Sequence, residues 1–505
     1  MFACAWQKRD LEACTHAPRR FSGCAFLLAY RGRGMNEATP SGVSSAGEPG
    51  AVSSAPGRRT RLSGWGRYPV CESEVYRPEK LAELRSIVVS NTRTLIARGA
   101  GRAYGDAAVN AGARVVDVGR MNRMLAFDAE TRVLRCEAGV TIGEMLDLFV
   151  PRGFFPPVTP GTRYVTLGGA IAADVHGKNH HRDSSLAAHV LWFDLMLASG
   201  EIKHCSREEN TDLFWATVGG MGLTGVIIEL AIRLRRITSA YLEGEIIRAA
   251  DLDDAIARFE AADSRYDYSV AWIDCLARRG ALGRSILSVG NFAAPEALPA
   301  RLRQAPLRPE PPSHLTVPLD LPGFVLAPAS VRAFNAVYYL RHPSAAPVIT
   351  PYQPFFYPLD SIENWNRIYG RRGFVQYQCV WPVGESREGL VEVLEAIANS
   401  GRGSFLAVLK KFGAQEGMLS FPMPGYTLAL DFPLTPGLLE LLDRLDAMVI
   451  KRGGRVYLAK DARLAPETLR AMYPNLDRWR QVKALADPDN RFSSSLSRRL
   501  KMEPA

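Results

Sequence analysis

The sequence has no apolar run long enough to cross a membrane and no cysteine pair at metal or redox spacing. Spanning a bilayer takes roughly 18 apolar residues, and the densest apolar stretch, residues 187–198, is interrupted by His189 and Asp194. The eight cysteines lie far apart without a C-x-x-C pair, which argues against a zinc knuckle or a dithiol centre. We expect any membrane contact to be peripheral, and the thiols to be reduced and mostly buried.

The chain also lacks concentrated positive charge. It carries 62 Lys and Arg against 52 Asp and Glu, a net charge of +10. No dense basic block is interleaved with aromatic residues, so the usual signature of a nucleic-acid-binding surface is missing. We therefore expect no nucleic-acid partner.

The overall composition and the length are those of a large globular protein. Hydrophobic residues make up 47% of the chain and charged residues 23%, with 43 Gly and 33 Pro, which is typical of a folded, loop-rich chain. At roughly 150 residues per domain, this length corresponds to about three domains or two large ones.

Residues 1–60 differ from the rest in composition. Scattered arginines precede a Ser-, Gly-, Ala- and Pro-rich run over residues 39–56 without apolar periodicity, a composition typical of disorder. Arg19 and Arg20, with the short apolar run after them, faintly resemble a twin-arginine export signal. Translation that begins near Met35 is the alternative. We expect the folded chain to begin near Leu62.

A glycine-rich loop lies between two predicted strands near residue 100. Residues 94–97 (TLIA) predict a strand, the loop RGAGRAYGD follows over residues 98–106, and an apolar stretch over 115–118 predicts the next strand. Glycines at such positions let backbone N–H groups approach a pyrophosphate without a Cβ in the way. The G-x-G-x-x-x-G spacing, with no helix after it, excludes a nicotinamide Rossmann fingerprint.

A literal G-x-G-x-x-G occurs at Gly220, Gly222 and Gly225, but its context is reversed. It follows a predicted helix over residues 212–217 and precedes a predicted strand over 226–232. Dinucleotide binding needs the opposite order, strand then helix. We interpret these glycines as a tight backbone passage.

Small residues and then three histidines crowd residues 160–181 (PGTRYVTLGGAIAADVHGKNHH). Small side chains allow a flat ligand to pack against the backbone, and the polar residues after them can meet its edge. His176, His180 and His181 raise the alternative of a metal site. Against it, the intervening Gly177 is a poor helix former and no carboxylate or thiolate partner is evident at ligand spacing. We predict a ligand site without a metal.

Together these segments resemble one flavoprotein family. Their order resembles the vanillyl-alcohol-oxidase superfamily and, more closely, the decaprenylphosphoryl-β-D-ribose 2'-oxidase family. The motifs that carry the resemblance over about residues 60–500 are RGAGRAYGD (98–106), PGTRYVTLGGAIA (160–172), DVHGKNHH (174–181), GGMGLTG (219–225), FVQYQ (374–378), LSFP (419–422), DFP (431–433) and YLAKD (457–461).

The resemblance implies an activity, a cofactor and partners. It implies noncovalently bound FAD and oxidation of the C2 hydroxyl of polyprenylphosphoryl-β-D-ribose to a 2-keto intermediate. This is the first half of an epimerisation that makes the arabinose donor for cell-envelope glycans. A short-chain NAD(P)H-dependent reductase completes the epimerisation, and the protein contacts a membrane surface. The implied location is cytoplasmic or peripheral to the membrane, or periplasmic if Arg19 and Arg20 belong to an export signal.

The resemblance also assigns cofactor-binding residues. The FAD pyrophosphate is expected at Ala97, Arg98, Gly99, Ala100, Gly101, Arg102, Ala103, Tyr104, Gly105, Asp106 and Ala107. The flavin and adenosine are expected at Gly161, Thr166, Leu167, Gly168, Gly169, Ala173, Asp174, Val175, His176, Ile228 and Tyr457. His176 is expected to act beside the flavin ring as a polar catalytic neighbour, without a covalent bond to it.

Alcohol oxidation removes a hydride from carbon and a proton from oxygen, and because no side chain accepts a hydride, a cofactor is required. The resemblance places Lys460 near the sugar hydroxyl, and a lysine whose pKa is lowered by burial can act as the base near neutral pH. The alternative is that Lys460 only forms a surface ion pair with Asp461 or another carboxylate. Gln376, Gln378 and Lys410 are expected around the substrate.

The chain departs from the family pattern beside the flavin face. Where some members have Asn and Cys before the DFP motif, this sequence has Thr427 and Ala429. The pocket is altered there, which affects sugar and lipid preference. Inhibitors that trap the cysteine are expected to be ineffective.

Residues 294–354 are rich in Pro and apolar residues and predict a long irregular stretch. Two interpretations compete. The stretch is either a mobile apolar lid with a mildly basic rim for phosphate and lipid headgroups, or an ordinary surface insertion.

We predict an α+β, two-domain, PCMH-type FAD-binding fold in which an antiparallel-sheet substrate domain covers the flavin. The expected parts are an extension over residues 1–60, an FAD-binding domain over 61–240, a substrate-binding domain over 241–454 and a C-terminal return to the FAD domain over 455–505. The rival functions are an FAD-dependent oxidase of a soluble sugar, alditol or aldonolactone, and a flavin-free binding protein that retained the fold.

Overall fold

Short strands and helices follow one another throughout the residues that the computed structural model describes, which are 57–90, 93–309 and 315–503. The expectations for residues 1–56 lie outside them. The strands are β1 Arg58–Ser63, β2 Val70–Tyr76, β3 Leu95–Arg98, β4 Arg114–Asp117, β5 Met124–Asp128, β6 Val133–Glu137, β7 Phe154–Phe155, β8 Val190–Met196, β9 Ile202–Ser206, β10 Val226–Arg233, β11 Arg235–Arg236, β12 Tyr241–Ala249, β13 Tyr268–Ile273, β14 Ser285–Phe292, β15 Leu315–Thr316, β16 Ala345–Pro351, β17 Ile362–Glu363, β18 Phe374–Pro382, β19 Ala407–Phe412, β20 Gly425–Pro433 and β21 Arg455–Val456. The α-helices are α1 Leu81–Val89, α2 Ile142–Phe149, α3 Leu167–Ala172, α4 His180–Asp183, α5 Thr211–Thr217, α6 Leu252–Asp263, α7 Ala300–Arg303, α8 Pro328–Arg341, α9 Tyr352–Phe356, α10 Ser386–Ser400, α11 Leu438–Lys451, α12 Pro466–Met472, α13 Leu476–Ala486 and α14 Ser495–Arg499.

Two sheets are built from the first part of the chain. A four-stranded sheet has the order β1-β2-β4-β3, with β2, β4 and β3 parallel, and a five-stranded antiparallel sheet has the order β5-β6-β10-β8-β9. Helix α2 begins at a reciprocal cap, because the Thr141 hydroxyl accepts from the Glu144 N–H at 3.1 Å and the Glu144 carboxylate accepts from the Thr141 N–H at 2.8 Å. The first residue of α2 also contacts the segment just before α3, because the Ile142 N–H donates to the Val165 carbonyl at 3.0 Å.

An eight-stranded sheet follows, in the order β16-β12-β14-β13-β19-β20-β18-β21. One face is apolar and packs against α6, α10 and α11. Helix α10 buries Leu390, Val393, Leu394 and Ile397, the spacing of one apolar helix face. Because side chains alternate along a strand, the residues between the apolar ones point to the opposite face, where the candidate site lies.

The last part of the chain returns to the four-stranded sheet. The Leu95 N–H donates to the Arg491 carbonyl at 2.8 Å, and the Ser493 N–H donates to the Leu95 carbonyl at 3.0 Å. Farther on, Arg499 donates to Asp106 at 2.7 Å and to Asp461 at 2.9 Å. The glycine-rich loop is therefore held in place by residues near the end of the sequence.

Replacing Arg499 by Met is expected to destabilise the fold by about 3–5 kcal/mol, because it leaves Asp106 and Asp461 as buried carboxylates without their shared cation. The measurement is the midpoint of chemical unfolding. The matched control is Arg478→Met, which breaks an exposed pair with Asp212 and is expected to cost about 0–1 kcal/mol. Equal midpoints for the two variants would contradict the expectation.

Most local predictions are confirmed, and two are wrong. The strand before the glycine loop (β3), the helix before GGMGLTG (α5) and the strand after it (β10) are confirmed. The chain is already in strand β1 at Arg58, before the expected start near Leu62.

The irregular stretch predicted over residues 294–354 contains helix α8 and strand β16. Its prolines occupy positions that tolerate them, since Pro328 begins α8, and Pro347 and Pro351 lie in a strand at the sheet edge.

All described residues belong to one compact unit, and the predicted bounds of the FAD and substrate domains stay a prediction. Within the same residues, no helix combines the length and the apolar character needed to cross a bilayer. Five cysteines in the described stretches are free, and four of them are buried.

Candidate active site

The glycine-rich loop offers unused backbone donors. Among the described residues, the N–H groups of Gly99, Ala100, Gly101 and Arg102 donate to no protein acceptor. The loop is attached to the YLAKD segment, because the Tyr104 N–H donates to the Ala459 carbonyl at 2.9 Å. Unpaired N–H groups on a loop that is fixed in position can donate hydrogen bonds to the oxygens of a pyrophosphate.

Two of these glycines are required by close approaches. A Cβ added at Gly99 would lie 2.0 Å from Oγ1 of Thr166, and one added at Gly105 would lie 1.8 Å from the carbonyl oxygen of Asp461. No side chain fits at such distances. The loop therefore touches the start of α3 on one side and the YLAKD motif on the other.

A cavity of about 450 Å³ opens beside the loop. Arg102 lies at its wall with its guanidinium 4.1 Å from the ring centre of Trp65 and 5.0 Å from that of Tyr164. Its Nε atom is buried and has no hydrogen-bond partner among the described residues. The cavity is lined by Ser63, Gly64, Trp65, Arg67, Arg98, Ala100, Gly101, Arg102, Asn364, Asn366 and Arg367. Because Arg67 and Arg367 face Asp320, Arg98 and Arg102 are the arginines of this cavity that favour an anionic ligand.

The predicted flavin segment folds around helix α3. Thr166 caps the helix by accepting from the Gly169 N–H at 3.3 Å, while the N–H groups of Leu167 and Gly168 donate to Val140 and Ala138. These N–H groups already form hydrogen bonds within the protein. The segment can therefore offer a ligand only its small side chains and its remaining unpaired backbone groups.

Two of the predicted contacts differ in position from the rest. Gly161 is exposed, and a Cβ there would meet nothing within 4 Å. Ile228 is buried in β10, and its carbonyl accepts from the Ala138 N–H at 3.0 Å. Gly161 therefore has open space beside its backbone, and its contact with the flavin stays a prediction.

Asp174 and Val175 carry the chain from α3 into the site. Asp174 is fully buried in a left-handed conformation (φ 43°), and its Oδ2 accepts from the Gln415 amide at 3.0 Å. Burial raises the pKa of this carboxyl to about 6. Its Oδ1 has no partner among the described residues.

His176 lies in an aromatic pocket formed by Phe412, Phe421 and Tyr457. Burial first, then nearby cations, lower its pKa well below the ordinary value, so the ring is neutral. The amide of Gln378 donates to Nε2 at 3.0 Å, and the proton of the neutral ring is therefore on Nδ1. Tyr457 reaches the same segment, because its hydroxyl donates to the Ala173 carbonyl at 2.5 Å.

Lys460 is placed above the ring of Tyr104, with 3.7 Å between the ammonium nitrogen and the ring centre. Burial lowers the pKa of Lys460 to about 7. The Asp461 carboxylate accepts instead from Arg499 and from the N–H groups of Arg463 and Leu464, whereas the other carboxylate of the alternative has a counterpart in Asp431, whose charge acts on Lys460. The amine is available for proton transfer near neutral pH.

The polar face of the eight-stranded sheet completes the site. Residues that pair directly across strands share a face, and Gln378 pairs with Ala429, which pairs with Val408. Lys410 pairs with Thr427 on the same face. The predicted substrate residues Gln376, Gln378 and Lys410 therefore lie on one surface.

Hydrogen bonds fix the two glutamines on this face. Gln378 donates to Oγ1 of Thr427 at 3.3 Å, and Gln376 donates to Asp431 at 2.5 Å. Burial raises the pKa of Asp431 to about 7, and its second oxygen has no partner among the described residues. Thr427, one of the two positions that depart from the family pattern, thus orients a predicted substrate residue.

Two lysines, Lys410 and Lys460, lie at this face, and Lys178, whose Nζ donates to the Phe355 carbonyl, is near enough for the charge of Lys410 to act on it. Burial lowers the pKa of Lys178 to about 7 and of Lys410 to about 8, and the positive charge of Lys410 lowers the pKa values of Lys178 and Lys460 further. Asp431 opposes these charges from the same sheet face. Lys410, whose pKa of about 8 leaves its amine mostly protonated at neutral pH, favours an anionic group on the substrate.

The three histidines have separate partners. His180 accepts from the Gly413 N–H at its Nδ1 and faces the amide oxygen of Gln415 with its Nε2 at 3.3 Å. His181 lies 3.9 Å from Asp263. The three rings therefore have different nearest polar groups, and the absence of a metal stays a prediction.

Sequence reasoning missed Lys178, Gln415 and Asp431. Asp431 and Lys178 belong to motifs already noted, DFP and DVHGKNHH, so a signal existed for both. Gln415 lies in a loop without a motif. Only the fold shows that its side chain joins His180 and Asp174.

The fold and this site define an FAD-dependent oxidoreductase. Comparison with known proteins supports this class, since the FAD binding domain family matches residues 73–206 and the D-arabinono-1,4-lactone oxidase family matches residues 435–500. The expected α+β PCMH-type fold and the FAD cofactor are confirmed.

The chain belongs to the decaprenylphosphoryl-β-D-ribose oxidase family. It is 38% identical over 449 residues to decaprenylphosphoryl-β-D-ribose oxidase of Mycolicibacterium smegmatis, covering 88% of this chain and 97% of that protein. It is 40% identical over 373 residues to an uncharacterized protein in the mprA 5' region of Streptomyces coelicolor, covering 72% of this chain and all of that protein. Bovine L-gulonolactone oxidase is 26% identical over 178 residues, 34% of this chain and 40% of that protein.

Proposed function

We propose that this protein oxidises the C2 hydroxyl of a polyprenylphosphoryl-β-D-ribose to the 2-keto sugar. The reaction is the first half of an epimerisation that yields an arabinose donor for cell-envelope glycans. The observation that carries the proposal is the presence of Lys410 and Lys460 at one sheet face, because a mostly protonated Lys410 suits a sugar that bears a phosphate while Lys460, whose pKa is about 7, can act as a base. The relative from M. smegmatis, by its name, acts on such a sugar.

The loop from Ala97 to Ala107 would hold the FAD pyrophosphate, and the segment from Thr166 to His176 with Tyr457 would hold the ring system. FAD supplies the acceptor for the hydride that leaves the sugar carbon. The binding is noncovalent in this proposal, as the resemblance to the family implies. His176 instead fixes Gln378, which faces the substrate.

Lys460 would accept the hydroxyl proton. Its amine is neutral in an appreciable fraction of molecules at pH 7, because burial has lowered its pKa to about 7. Asp431, whose pKa is raised by burial to about 7, is in electrostatic contact with the amine and shares its protonation equilibrium.

The prenyl chain would follow an apolar row across the sheet. Beyond Gln378, the paired residues on the same face are Ala429, Val408 and Trp272. This row passes Val408, which lies beside Lys410 on β19, and reaches Trp272, which packs against Tyr338 of helix α8. A phosphate at the lysines and a lipid along the row agree with an amphipathic substrate.

The proposal includes partners and a location. The 2-keto sugar requires a hydride donor for its reduction, and a short-chain NAD(P)H-dependent reductase is the proposed consumer. We also propose peripheral contact with a membrane, because a polyprenyl phosphate resides there. The predicted domain bounds, 61–240, 241–454 and 455–505, belong to the same proposal.

A second candidate is oxidation of a soluble aldonolactone. The specific observation in its favour is the match of residues 435–500, which include Lys460, to the D-arabinono-1,4-lactone oxidase family. A neutral lactone makes no use of the positive charge of Lys410, and this is why the phosphorylated sugar is preferred.

Anaerobic titration of the purified holoenzyme separates the candidates. We expect prenylphosphoryl ribose to bleach the flavin absorbance, whereas ribose and aldonolactones do not at equal concentration. Bleaching by a lactone alone would establish the second candidate. A colourless protein that takes up no FAD would refute both.

A further inference from the structure

The side chain of Gln415, in the loop after β19, bonds to both ends of the segment that carries His176. Its amide nitrogen donates to Oδ2 of Asp174 and to Oγ of Ser185, both at 3.0 Å. Its amide oxygen accepts from the Ser184 hydroxyl at 2.6 Å and from the Ser185 N–H at 3.2 Å. Both ends of one amide are therefore used by residues 174–185, which we call the histidine segment.

These bonds hold the two positions that flank His176. Asp174 lies just before it along the chain in a left-handed conformation (φ 43°), which is uncommon for a residue with a Cβ and persists where the surroundings hold it. Ser185 lies across from His176, because the two residues form an antiparallel bridge. On its other side, His176 accepts from Gln378 of β18 at 3.0 Å. Gln415 and Gln378 thus fix the histidine segment at two places on the eight-stranded sheet.

The neighbours of Gln415 determine which way its amide faces. Nδ1 of His180 accepts from the Gly413 N–H at 3.2 Å, and burial lowers the pKa of His180 to about 3, so the ring is neutral and carries its proton on Nε2. This Nε2 lies 3.3 Å from the amide oxygen of Gln415. The amide oxygen therefore faces donors, and the amide nitrogen faces the Asp174 carboxylate. A negative charge at position 415 would face that carboxylate instead.

We propose that Gln415 is a positioning residue of the flavin site. Its neutral amide holds the histidine segment, and with it His176, in the place where the coenzyme ring fits between this segment and the substrate face of the eight-stranded sheet. This inference rests on the proposed function only for the assignment of the histidine segment to the flavin. It does not depend on the identity of the sugar or of the base.

The test is the pH dependence of FAD retention in Gln415→Glu. The holoenzyme is diluted, and released FAD is measured by its fluorescence. At about pH 5.5 we expect retention close to that of the unaltered protein, because the new carboxyl shares a proton with Asp174, whose pKa burial already raises to about 6. At about pH 8.5 the two carboxylates repel each other, and FAD should bind about 10- to 100-fold more weakly than in the unaltered protein.

The other ionisable groups near Gln415 do not produce this change. The His180 ring, on which the charge of Lys410 also acts, stays neutral above its pKa of about 3. Arg455, whose charge acts on Asp174, stays protonated, and Glu416 is exposed. Asp174 itself titrates in the unaltered protein as well, so the two proteins are compared at each pH.

Two further variants and a spectrum separate positioning from folding and from net charge. Gln415→Met cannot form the amide bonds and should lose FAD without recovery at low pH. Gln481→Glu is the matched control, the same change at an exposed position of α13, and should retain FAD as the unaltered protein does. The visible circular dichroism of the flavin, recorded with excess FAD, reports the surroundings of the ring and should change reversibly with pH only in Gln415→Glu.

Four results would overturn the inference. These are unchanged FAD retention in Gln415→Glu at high pH, a loss that does not recover at low pH, an equal loss in Gln481→Glu, or unfolding of Gln415→Glu in far-ultraviolet circular dichroism, which shows a role in stability alone. Bleaching by prenylphosphoryl ribose is not used in this test. FAD release as expected without bleaching removes the proposed substrate and keeps Gln415, whereas bleaching with unchanged FAD release does the reverse.

Discussion

Replacing Lys460 by Ala is expected to slow anaerobic flavin reduction by prenylphosphoryl ribose about 100- to 10,000-fold, the usual contribution of a general base. FAD content is measured in parallel and the rate is referred to the bound coenzyme, because the Lys460 side chain lies over Tyr104 of the glycine-rich loop. Stopped-flow absorbance measures the rate. Lys451→Ala is the control, an exposed lysine paired with Glu392. Undiminished bleaching in Lys460→Ala would remove the residue from the mechanism.

The pH profile distinguishes a base from a structural lysine. A base acts when deprotonated, so kcat/KM should rise with pH through about 7 and then level off, since the pKa of Lys460 lies there. Lys410→Met removes a positive neighbour, which raises the pKa of Lys460 and moves the rise to higher pH. Asp431→Asn removes the negative neighbour, which lowers that pKa and moves the rise to lower pH. Shifts in the opposite directions would contradict the assignment.

Replacing Gly105 by Val is expected to weaken FAD binding about 5- to 150-fold. A Cβ there would lie 1.8 Å from the Asp461 carbonyl oxygen, and a rigid backbone on both sides makes such overpacking cost about 1–3 kcal/mol. The loop can relieve the clash only by moving away from the YLAKD segment, which displaces the amides offered to the pyrophosphate. Equilibrium dialysis of the apoprotein against FAD gives the affinity.

Gly384→Val is the matched control for that variant. Gly384 has nothing within 4 Å of an added Cβ and lies far in sequence from both glycine-rich segments. It should bind FAD as the unaltered protein does. A Gly105→Val protein that keeps full affinity would show that the loop does not hold the coenzyme.

The sequence predicted what depends on local pattern. Two apolar runs on either side of the glycines predict strand β3, the loop and strand β4. The helix before GGMGLTG shows that this motif lies in the reverse order from a dinucleotide-binding fingerprint. Helix α8 and strand β16 were missed because their prolines suggest irregularity, whereas an edge strand and a first helical turn tolerate proline.

The site was only partly predictable, because its pairings are long-range. Gln415 joins Asp174 and His180 across more than 200 positions, and no local pattern encodes such a bond. The resemblance named Gln378 as a substrate residue, yet its hydrogen bonds to His176 and Thr427 emerge only when β18, β20 and the segment after α3 meet. The catalytic assignments of Lys460 and His176 stay predictions.

The bond between Arg499 and Asp106 joins positions 393 residues apart. Retention of the yellow colour is consequently a property of the intact polypeptide. A protease that cuts between β21 and α14 would loosen the coenzyme while sparing every glycine that surrounds it. Gradual bleaching during storage would then report on damage at the far end of the chain.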